Sequence, residues 1–354
     1  MSNKQPSFSK RSSYWMRGGG PSSDVIVSSR LRLARNLSDV PFPPEMSREH
    51  AQKVLEQAEQ VIDSLKSRQD SGYRFVRMDS LPEIEQWVLV EKHLISPQLV
   101  QTAALSGVIL SDDEAVSIMV NEEDHFRIQC LFPGLNLDEG KGLVLRVDQR
   151  LCSVIEPAFD EQLGYLTTCP TNLGTGMRAS VMAHLPGLVM LDRLDKVISG
   201  LSEIGATIRG LYGEGTDSQG DLFQISNRVT LGQDETEICN NLHAVVSEVV
   251  DKERSARETV YGCRKEELED RVYRAYGLLT NARMMPTKEA MRLLSALKLG
   301  LDLNIIPHVS GETFSELMIN MRPALIQSRA DSELDSRKRD VRRATLIRNT
   351  LLNT

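Results

Sequence analysis

The segment Cys169-Pro-Thr-Asn-Leu-Gly-Thr-Gly-Met-Arg178-Ala-Ser180 carries the strongest chemical signal in this chain. Asn121-Glu-Glu-Asp-His-Phe-Arg127 precedes it, and Arg209-Gly-Leu-Tyr-Gly-Glu214-Gly215 follows it. Together the three segments supply one possible nucleophilic thiol, several arginines, glycine-bearing turns and two separated glutamates. This set suits transfer of a phosphoryl group to a nitrogen. Fixed cations hold the spread-out charge of such a group, and carboxylates pair with the planar fork of a guanidinium acceptor.

The composition is that of an ordinary globular protein. The 354 residues allow two domains or one large one, and 40% of them are hydrophobic, enough for a sizeable core. The 42 Lys and Arg against 49 Asp and Glu give a net charge of −7, which argues against nucleic acid as a direct partner. Neither a membrane-spanning run nor a secretory signal is found. We therefore predict no membrane partner.

The cysteines indicate a reducing compartment. The chain has five, at positions 130, 152, 169, 239 and 263, without a CxxC pair. Neither a disulfide framework nor a zinc site is indicated, no protein-bound metal is predicted, and a cytoplasmic location is the simplest setting. Cys169 stands apart because nearby arginines could stabilise its thiolate. The alternative for Cys169 is a small buried hydrophobe, as for the other four.

Hydrophobic periodicity predicts an α+β first part. A helix is expected after Ser47, because apolar residues recur at three- and four-residue spacing as far as Leu65. A second helix is expected at residues 137–155. Strands are predicted at residues 73–78, 115–120, 126–132, 163–169, 204–211 and 222–231. Residues 122–124 therefore lie at a turn between two adjacent strands, which we expect to be antiparallel.

The chain from Asp234 onward is expected to be helical. Three apolar stripes at helical spacing follow Asp234, and a charged helix is predicted at residues 330–352. This divides the chain into a flexible N-terminal segment at residues 1–23, an α+β catalytic domain at 24–255 and a helical domain at 256–354. Trp15, in the first of these, is expected to be a loosely packed aromatic residue.

The arginines predict a site for a polyanion. Arg30 and Arg32 are two residues apart, so in a strand they would share one face. Arg127, Arg178 and Arg209 lie in the three segments quoted above. Brought together, five arginines would repel one another unless a polyphosphate with Mg²⁺ filled the gap. The chain has neither the P-loop nor the glycine-rich loop of protein kinases. For any single arginine, a surface ion pair is the simpler alternative.

Glu123 and Glu214 are the predicted partners of a guanidinium acceptor. A guanidinium has a pKa above ~12 and is a poor nucleophile, so two carboxylates would fix its orientation and one would take its proton. Glu122 competes for the first of these roles. Asp124 and His125 are interpreted as structural groups at the turn. The loop at residues 213–220 has three glycines, which suits a mobile lid or a plain hairpin connection.

The quoted segments, with SSRLR at residues 28–32, resemble the signatures of the phosphagen (guanidino) kinases, which include creatine and arginine kinases. The resemblance spans residues 24 to about 255. It implies an antiparallel sheet flanked by helices, ATP with Mg²⁺, and Glu123, Glu214 and Cys169 as catalytic residues. Around the nucleotide it implies Ser28, Ser29, Arg30, Leu31, Arg32, His93, Arg127, Arg178, Ala179, Ser180, Val181, Met182, Arg209, Gly210, Leu211, Tyr212, Gly213 and Glu214.

Two departures narrow the resemblance. The small-molecule guanidino kinases have a helical domain of about 100 residues before their first arginine motif, whereas here about 23 residues precede it. A helical region is instead added after the catalytic part. Both features resemble the bacterial protein-arginine kinases, which phosphorylate arginine side chains on other proteins. A kinase of a small guanidino compound, and an adaptor that only binds phosphoarginine, are the alternatives.

That family also carries an RDxxRA segment that recognises phosphoarginine, and it stands here as Arg339-Asp340-Val-Arg-Arg343-Ala344. Arg339 and Arg343 are four apart, so on a helix they share a face and could clamp a phosphate while Asp340 meets a guanidinium. The alternative is a solvated charged helix. By analogy, the resemblance implies as protein partners a heat-shock repressor and substrates of a Clp-type protease. It also implies an activator protein and a homo-oligomer formed through the C-terminal domain.

Overall fold

The structure, a computed structural model, describes residues 8–66, 72–203, 205–211, 218–306 and 311–353. An eight-stranded sheet forms its centre, and every neighbouring pair of strands is antiparallel, as predicted. The order of the strands across the sheet is β2-β3-β4-β5-β1-β8-β10-β9. A separate hairpin contains β6 and β7. The bounds are β1 Ile26–Arg35, β2 Tyr73–Arg77, β3 Gly107–Ser111, β4 Val116–Val120, β5 Phe126–Pro133, β6 Phe159–Asp160, β7 Gly164–Tyr165, β8 Met177–His184, β9 Ala206–Gly210 and β10 Leu222–Asn227.

Helices cover the sheet and continue to the end of the described chain. The first begins where predicted, because the Ser47 hydroxyl accepts a hydrogen bond from the backbone N–H of His50 at 3.2 Å and caps it. The bounds are α1 Arg48–Leu65, α2 Glu83–Glu91, α3 Pro97–Gln101, α4 Leu137–Cys152, α5 Pro186–Met190, α6 Leu194–Glu203, α7 Glu235–Cys263, α8 Lys265–Asn281, α9 Thr287–Asp302, α10 Gly311–Asn320, α11 Pro323–Ser328 and α12 Ser336–Leu352.

The central strand β1 separates two chemically different faces. Leu31 and Leu33 are fully buried in the apolar core under α1, α4 and α7. Arg30 and Arg32 alternate with them and therefore point to the opposite face. A second apolar core joins the far side of the sheet to the N-terminal segment, α2 and the C-terminal helices. The candidate site lies on the face of the sheet to which Arg30 and Arg32 point.

The C-terminal part is helical as predicted, since no strand occurs in the described residues from 234 to the end. The helix α7 runs without a break through residues 255 and 256, where the domain boundary was placed. Its first part packs in the sheet core as far as Ala256, and Val260 belongs to the second core. The boundary at residue 255 stays a prediction. No helix in the described ranges is long and apolar enough to cross a bilayer.

The N-terminal segment is ordered by burial, so the expectation of a flexible lead-in is wrong for residues 8–17. Trp15 is fully buried and its Nε1 donates to the carbonyl of Lys92 at 3.2 Å. Phe8 is buried too, and its N–H donates to Glu85 at 2.8 Å. The buried ammonium of Lys92 pairs with Glu114, which also accepts a hydrogen bond from Ser13. The partners of Phe8 and Trp15 are separated from them by 77 residues of the chain, so the composition of the segment alone did not reveal the contacts.

Two predicted strands are longer than the strands in the structure. Residues 163–169 contain only the short β7, because the chain bends at Thr168 and Cys169 and enters a 3-10 turn at Pro170. The strand β10 ends at Asn227 rather than at residue 231.

Candidate active site

All five predicted arginines lie on one face of the sheet. Directly opposite residues of paired strands share a face. Arg32 of β1 is opposite Arg178 of β8, and Ala34 of β1 is opposite Arg127 of β5. Further along, Gln224 of β10 links Met182 of β8 to Arg209 of β9. Four strands therefore carry guanidinium groups to the same surface.

Burial and then mutual repulsion disfavour the charged forms of two of these arginines. Burial, and then the charges of Arg30, Arg127 and Arg178, lower the pKa of Arg32 well below its ordinary value. Burial also lowers the pKa of Arg178, followed by the charges of Arg209 and Arg127. Uncompensated cations in a partly desolvated site are costly, and a multiply charged anion would relieve that cost.

The cluster keeps unused donors. The Nε atoms of Arg32 and Arg178 are buried and have no hydrogen-bond partner among the described residues. A cavity of about 210 Å³ opens beside Arg178 and Arg209, lined further by Thr171, Asn172, Thr207, Asn227, Arg228 and Thr230. Buried donors without partners are rare in folded proteins, so the site is built to receive acceptor oxygens.

A second, smaller pocket of about 30 Å³ lies on the same face. Its lining includes Ser28, Arg30, His93, Ser180, Met182 and Leu211, all predicted nucleotide contacts. Trp15 and Gln224 also line it but were missed. The Arg30 guanidinium donates to the Gln224 side chain at 2.6 Å, a contact set by strand register that leaves no local signal. The indole of Trp15 lies 5.6 Å from the His93 ring.

Some residues in the predicted ranges do not face this surface. Leu31 and Ala179 are buried in the opposite core. The hydroxyl of Ser29 donates to the Gly134 carbonyl at 2.7 Å and is likewise fully buried. Strand alternation accounts for this, because a contiguous run along a strand presents only every second side chain to one face. For these three residues, only the backbone adjoins the site.

The neighbouring residues Glu122 and Glu123 differ in their exposure and in their ion pairs. Glu122 is 5% exposed and pairs with Arg127 at 2.5 Å. Burial alone would raise the pKa of Glu122, but Arg127 and hydrogen bonds from Ser96 and the Glu123 backbone outweigh it and lower the pKa. The side chain of Glu123 is 31% exposed and lies 3.3 Å from the same arginine. Glu122 is thus committed to an internal ion pair, whereas Glu123 keeps access to the site.

A buried aspartate ties the two central segments together. Asp124 is fully buried and its Oδ1 accepts hydrogen bonds from the Asn36 amide at 2.6 Å and from the Thr168 N–H at 2.8 Å. Thr168 directly precedes Cys169, so Asp124 fixes the start of the cysteine segment next to Glu123. The structural role assigned to Asp124 from the sequence is confirmed in kind, but its partner 44 residues away was not predictable.

Cys169 is partly exposed and its Sγ lies 3.0 Å from the Thr171 hydroxyl. Burial and the neighbouring arginines dominate the lowered pKa of Arg178, and Cys169 and Glu123 act on that pKa in the opposite direction, so both lie within electrostatic reach of this guanidinium. Gly210 and Leu211 lie at the end of β9 nearby. Tyr212, Gly213 and Glu214 lie outside the described residues, and Glu214 as the second carboxylate stays a prediction.

The predicted phosphoarginine residues do not form an open two-arginine clamp. Arg343 is 1% exposed and donates to the carbonyls of Met321 and Met285 at 2.7 and 2.8 Å, while also pairing with Asp340. Arg339 is only partly buried and donates to the Leu334 carbonyl. The four-residue spacing of Arg339 and Arg343 predicted a shared face but did not reveal that the side chain of Arg343 is buried. Ala344, on the same turn, is fully buried.

The catalytic part and the C-terminal part each match a known protein family. The family of the ATP:guanido phosphotransferase C-terminal catalytic domain matches residues 53–256, and that of the protein-arginine kinase McsB C-terminal domain matches residues 265–354. A protein-arginine kinase from Pelotomaculum thermopropionicum is 47% identical over 96% of both chains. The chain belongs to the protein-arginine kinase family. A Bacillus subtilis protein-arginine kinase is 46% identical, over 96% of this chain and 93% of its own.

Solved structures agree with this family at the level of the fold. A lombricine kinase superposes with a TM-score of 0.57 at 24% identity, covering 72% of this chain and 73% of its own. A duplicated taurocyamine kinase from Schistosoma mansoni gives 0.60 at 24% identity, over 75% of this chain and 38% of its own. The protein-arginine kinase fold is therefore a phosphagen-kinase sheet followed by added helices.

Proposed function

We propose that this protein transfers the γ-phosphoryl group of ATP to arginine side chains of other proteins. The observation that carries the proposal is the row of five arginines on one sheet face, with Glu123 beside Arg127 and the Cys169 segment held next to it through Asp124. Such a row fits a polyphosphate, and the adjoining carboxylate and thiol fit a guanidinium. The similarity to protein-arginine kinases supports a protein-borne acceptor.

The arginine row would hold the nucleotide. Arg32 and Arg178 would donate their unused Nε–H groups to phosphate oxygens, and the Trp15–His93 pocket would take the base once Arg30 moves from Gln224. Mg²⁺ would neutralise phosphate charge. No group of three or more His, Cys, Asp or Glu in the described ranges could cage that ion, so phosphate oxygens and water would supply most of its ligands.

Glu123 and Cys169 would act on the acceptor. Glu123 would pair with the target guanidinium and take one proton as the nitrogen attacks phosphorus. One P–N bond forms, the bond from γ-phosphorus to the bridging oxygen breaks, and ADP leaves with that oxygen. Cys169, as thiolate, would orient the guanidinium by charge. Holding donor and acceptor in line supplies much of the acceleration. We propose Glu214 as the second carboxylate.

We further propose partners and setting by analogy with the family. The targets would include a heat-shock repressor and proteins marked for a Clp-type protease, in the cytoplasm. An activator protein and self-assembly through the C-terminal helices would complete the system. Phosphoarginine would bind near Arg339 of α12, where a cavity of about 570 Å³ lies against α2.

A direct assay tests the transfer. The protein is incubated with MgATP and a mixed protein substrate, and acid-labile phosphate is located by mass spectrometry under neutral conditions. Phosphorylation on arginine, absent with Glu123→Gln, is the expected result. Transfer only to a free guanidino compound would instead identify a small-molecule kinase. Binding of phosphoarginine proteins without any transfer would identify an adaptor.

A further inference from the structure

Four exposed apolar side chains lie on two segments that both pack against the loop carrying Cys169. Six large apolar side chains are exposed among the described residues before 235. Four of them are Phe159 at 58%, Leu163 at 43%, Val229 at 46% and Leu231 at 49%. We call these four the apolar rim. Single exposed apolar residues are ordinary, but clustered ones mark an interaction surface.

The two segments of the rim meet through the cysteine segment. The N–H of Tyr165 donates to the Gly174 carbonyl at 2.8 Å. On its other side Gly174 is so close to the second segment that an added Cβ would lie 2.7 Å from the Thr230 carbonyl and 3.0 Å from the Leu231 Cα. The Thr230 hydroxyl in turn donates to the carbonyls of Thr171 and Leu173. The rim is thus built onto the loop that carries Cys169.

The rim is held rigidly in its exposed position. Asp160 accepts hydrogen bonds from the N–H groups of Gln162 and Leu163 at 2.8 and 2.9 Å, which fixes the hairpin turn. Phe159 packs edge-on against Tyr165 at 5.2 Å, and Tyr165 lies under the buried Arg35 guanidinium. In the other segment, the buried Thr230 is anchored through its hydroxyl, and its neighbours Val229 and Leu231 are both about half exposed. Rigid presentation reduces the entropy lost when a partner binds.

We propose that the apolar rim binds apolar side chains that flank the target arginine, so that the enzyme prefers arginines in exposed hydrophobic segments of its protein substrates. The inference rests on the proposed function. A polypeptide that sends an arginine to Glu123 and Cys169 must cross the opening beside them. In an extended chain, residues two positions away lie only about 7 Å from the arginine, within reach of the rim. A second copy seated on the rim would obstruct that opening.

Matched peptides test this preference in the full-length protein. One peptide carries a central arginine with leucine and valine at the flanking positions, and the other carries serine at those positions. The parent should show a KM about tenfold lower for the apolar peptide, since burying one such side chain contributes on the order of that factor. The kcat should be similar for both, because the rim does not touch the reacting atoms.

Two double variants locate the preference. Phe159→Ser with Leu163→Ser, and separately Val229→Ser with Leu231→Ser, should each raise the KM for the apolar peptide toward that of the serine peptide, with turnover of the latter unchanged. Val154→Ser, an exposed apolar residue elsewhere on the catalytic part at 39% exposure, should keep the full preference. Thermal unfolding confirms that each variant is folded, and the second pair tests the idea should the hairpin pair fail to fold.

The outcomes separate the two proposals. Equal KM values for both peptides in the parent overturn the rim while leaving arginine phosphorylation intact. An unchanged preference in the folded variants, with an altered oligomeric mass in light scattering, shows that a second copy covers the rim and also overturns it. Phosphorylation of neither peptide nor any protein sinks the proposed function, and the inference with it.

Discussion

Glu122 and Glu123 are adjacent in sequence, yet only one of them has access to the proposed acceptor site. Glu123 is the one with access to the site, so Glu123→Gln should lower kcat by ~10²–10⁴-fold through loss of the proton acceptor. The Kd for MgADP should stay near the parent value, because the arginine row is intact. Turnover assays and isothermal titration measure the two quantities. Near-parental turnover would exclude Glu123 as the base.

Glu122→Gln is the matched control. It leaves Arg127 without its buried partner, so it should lower thermal stability as well as activity, since breaking a buried pair is strongly destabilising. If Glu122→Gln alone abolished transfer without loss of stability, the two roles would be exchanged. Glu214→Gln is expected to follow Glu123→Gln.

Arg178→Ala and Arg209→Ala should weaken nucleotide binding. Each removes a guanidinium from the proposed phosphate surface, and a charged hydrogen bond contributes ~1.5–3 kcal/mol, so the Kd for MgADP should rise about tenfold or more. Arg193→Ala, an exposed arginine away from the sheet face, should leave the Kd unchanged. Titration calorimetry at fixed ionic strength decides the matter, and parental affinity in both variants would remove them from the site.

At the level of elements, α12 carries two arginines with different roles. Arg339→Ala should weaken phosphoarginine binding at the C-terminal site while thermal stability stays near that of the parent. Arg343→Ala should lower stability by several kcal/mol, because it leaves Asp340 and two buried carbonyls without their donor. Calorimetry with free phosphoarginine and thermal unfolding measure the two effects, and Arg337→Ala on the same helix is the exposed control. Unchanged affinity in Arg339→Ala would move the site elsewhere.

The elements differ in how well their sequences reveal them. The helix α1 was predictable because Ser47 caps it and only one of its faces is buried. The strands β3 and β4 are both buried at all five positions and show no alternation, so a short apolar run is their only local signal, which predicted β4 and missed β3. The two-residue spacing of Arg30 and Arg32 predicted that they share a face of the strand. Their proximity to Arg178, however, depends on the register between β1 and β8. Register is a long-range property that no local pattern encodes.

For the whole molecule, buried neutral histidines predict a loss of stability in acid. Burial lowers the pKa of His93 to about 3 and that of His125 to about 4, and it depresses the pKa of His184 as well. The unfolded values lie near 6.5, so the unfolded chain binds more protons below that pH. Stability is therefore complete above pH ~6.5 and falls toward the folded pKa values, with each histidine contributing a slope of ~1.4 kcal/mol per pH unit.

Buried carboxylates act in the opposite sense. Burial raises the pKa of Glu91, Glu253 and Asp302, so the folded chain takes up protons on them as the pH falls and the net slope is smaller than three histidines alone would give. Urea unfolding at pH 5.0 to 7.5 measures the slope. His184→Gln should reduce it by about one proton, and an identical slope in parent and variant would contradict the assignment.

The packing of residues 8–17 has a consequence for the order of events during synthesis. Phe8 and Trp15 bond to Glu85 and Lys92, which each follow 77 residues later, whereas Ser9 accepts a hydrogen bond from Arg329 and Ser12 donates to Glu316. At ~5–20 residues per second, the contacts with Glu316 and Arg329 can form only on the order of 10–50 s after those with Glu85 and Lys92. The segment is thus seated in two stages, first against α2 and only later against α10 and the residue that follows α11.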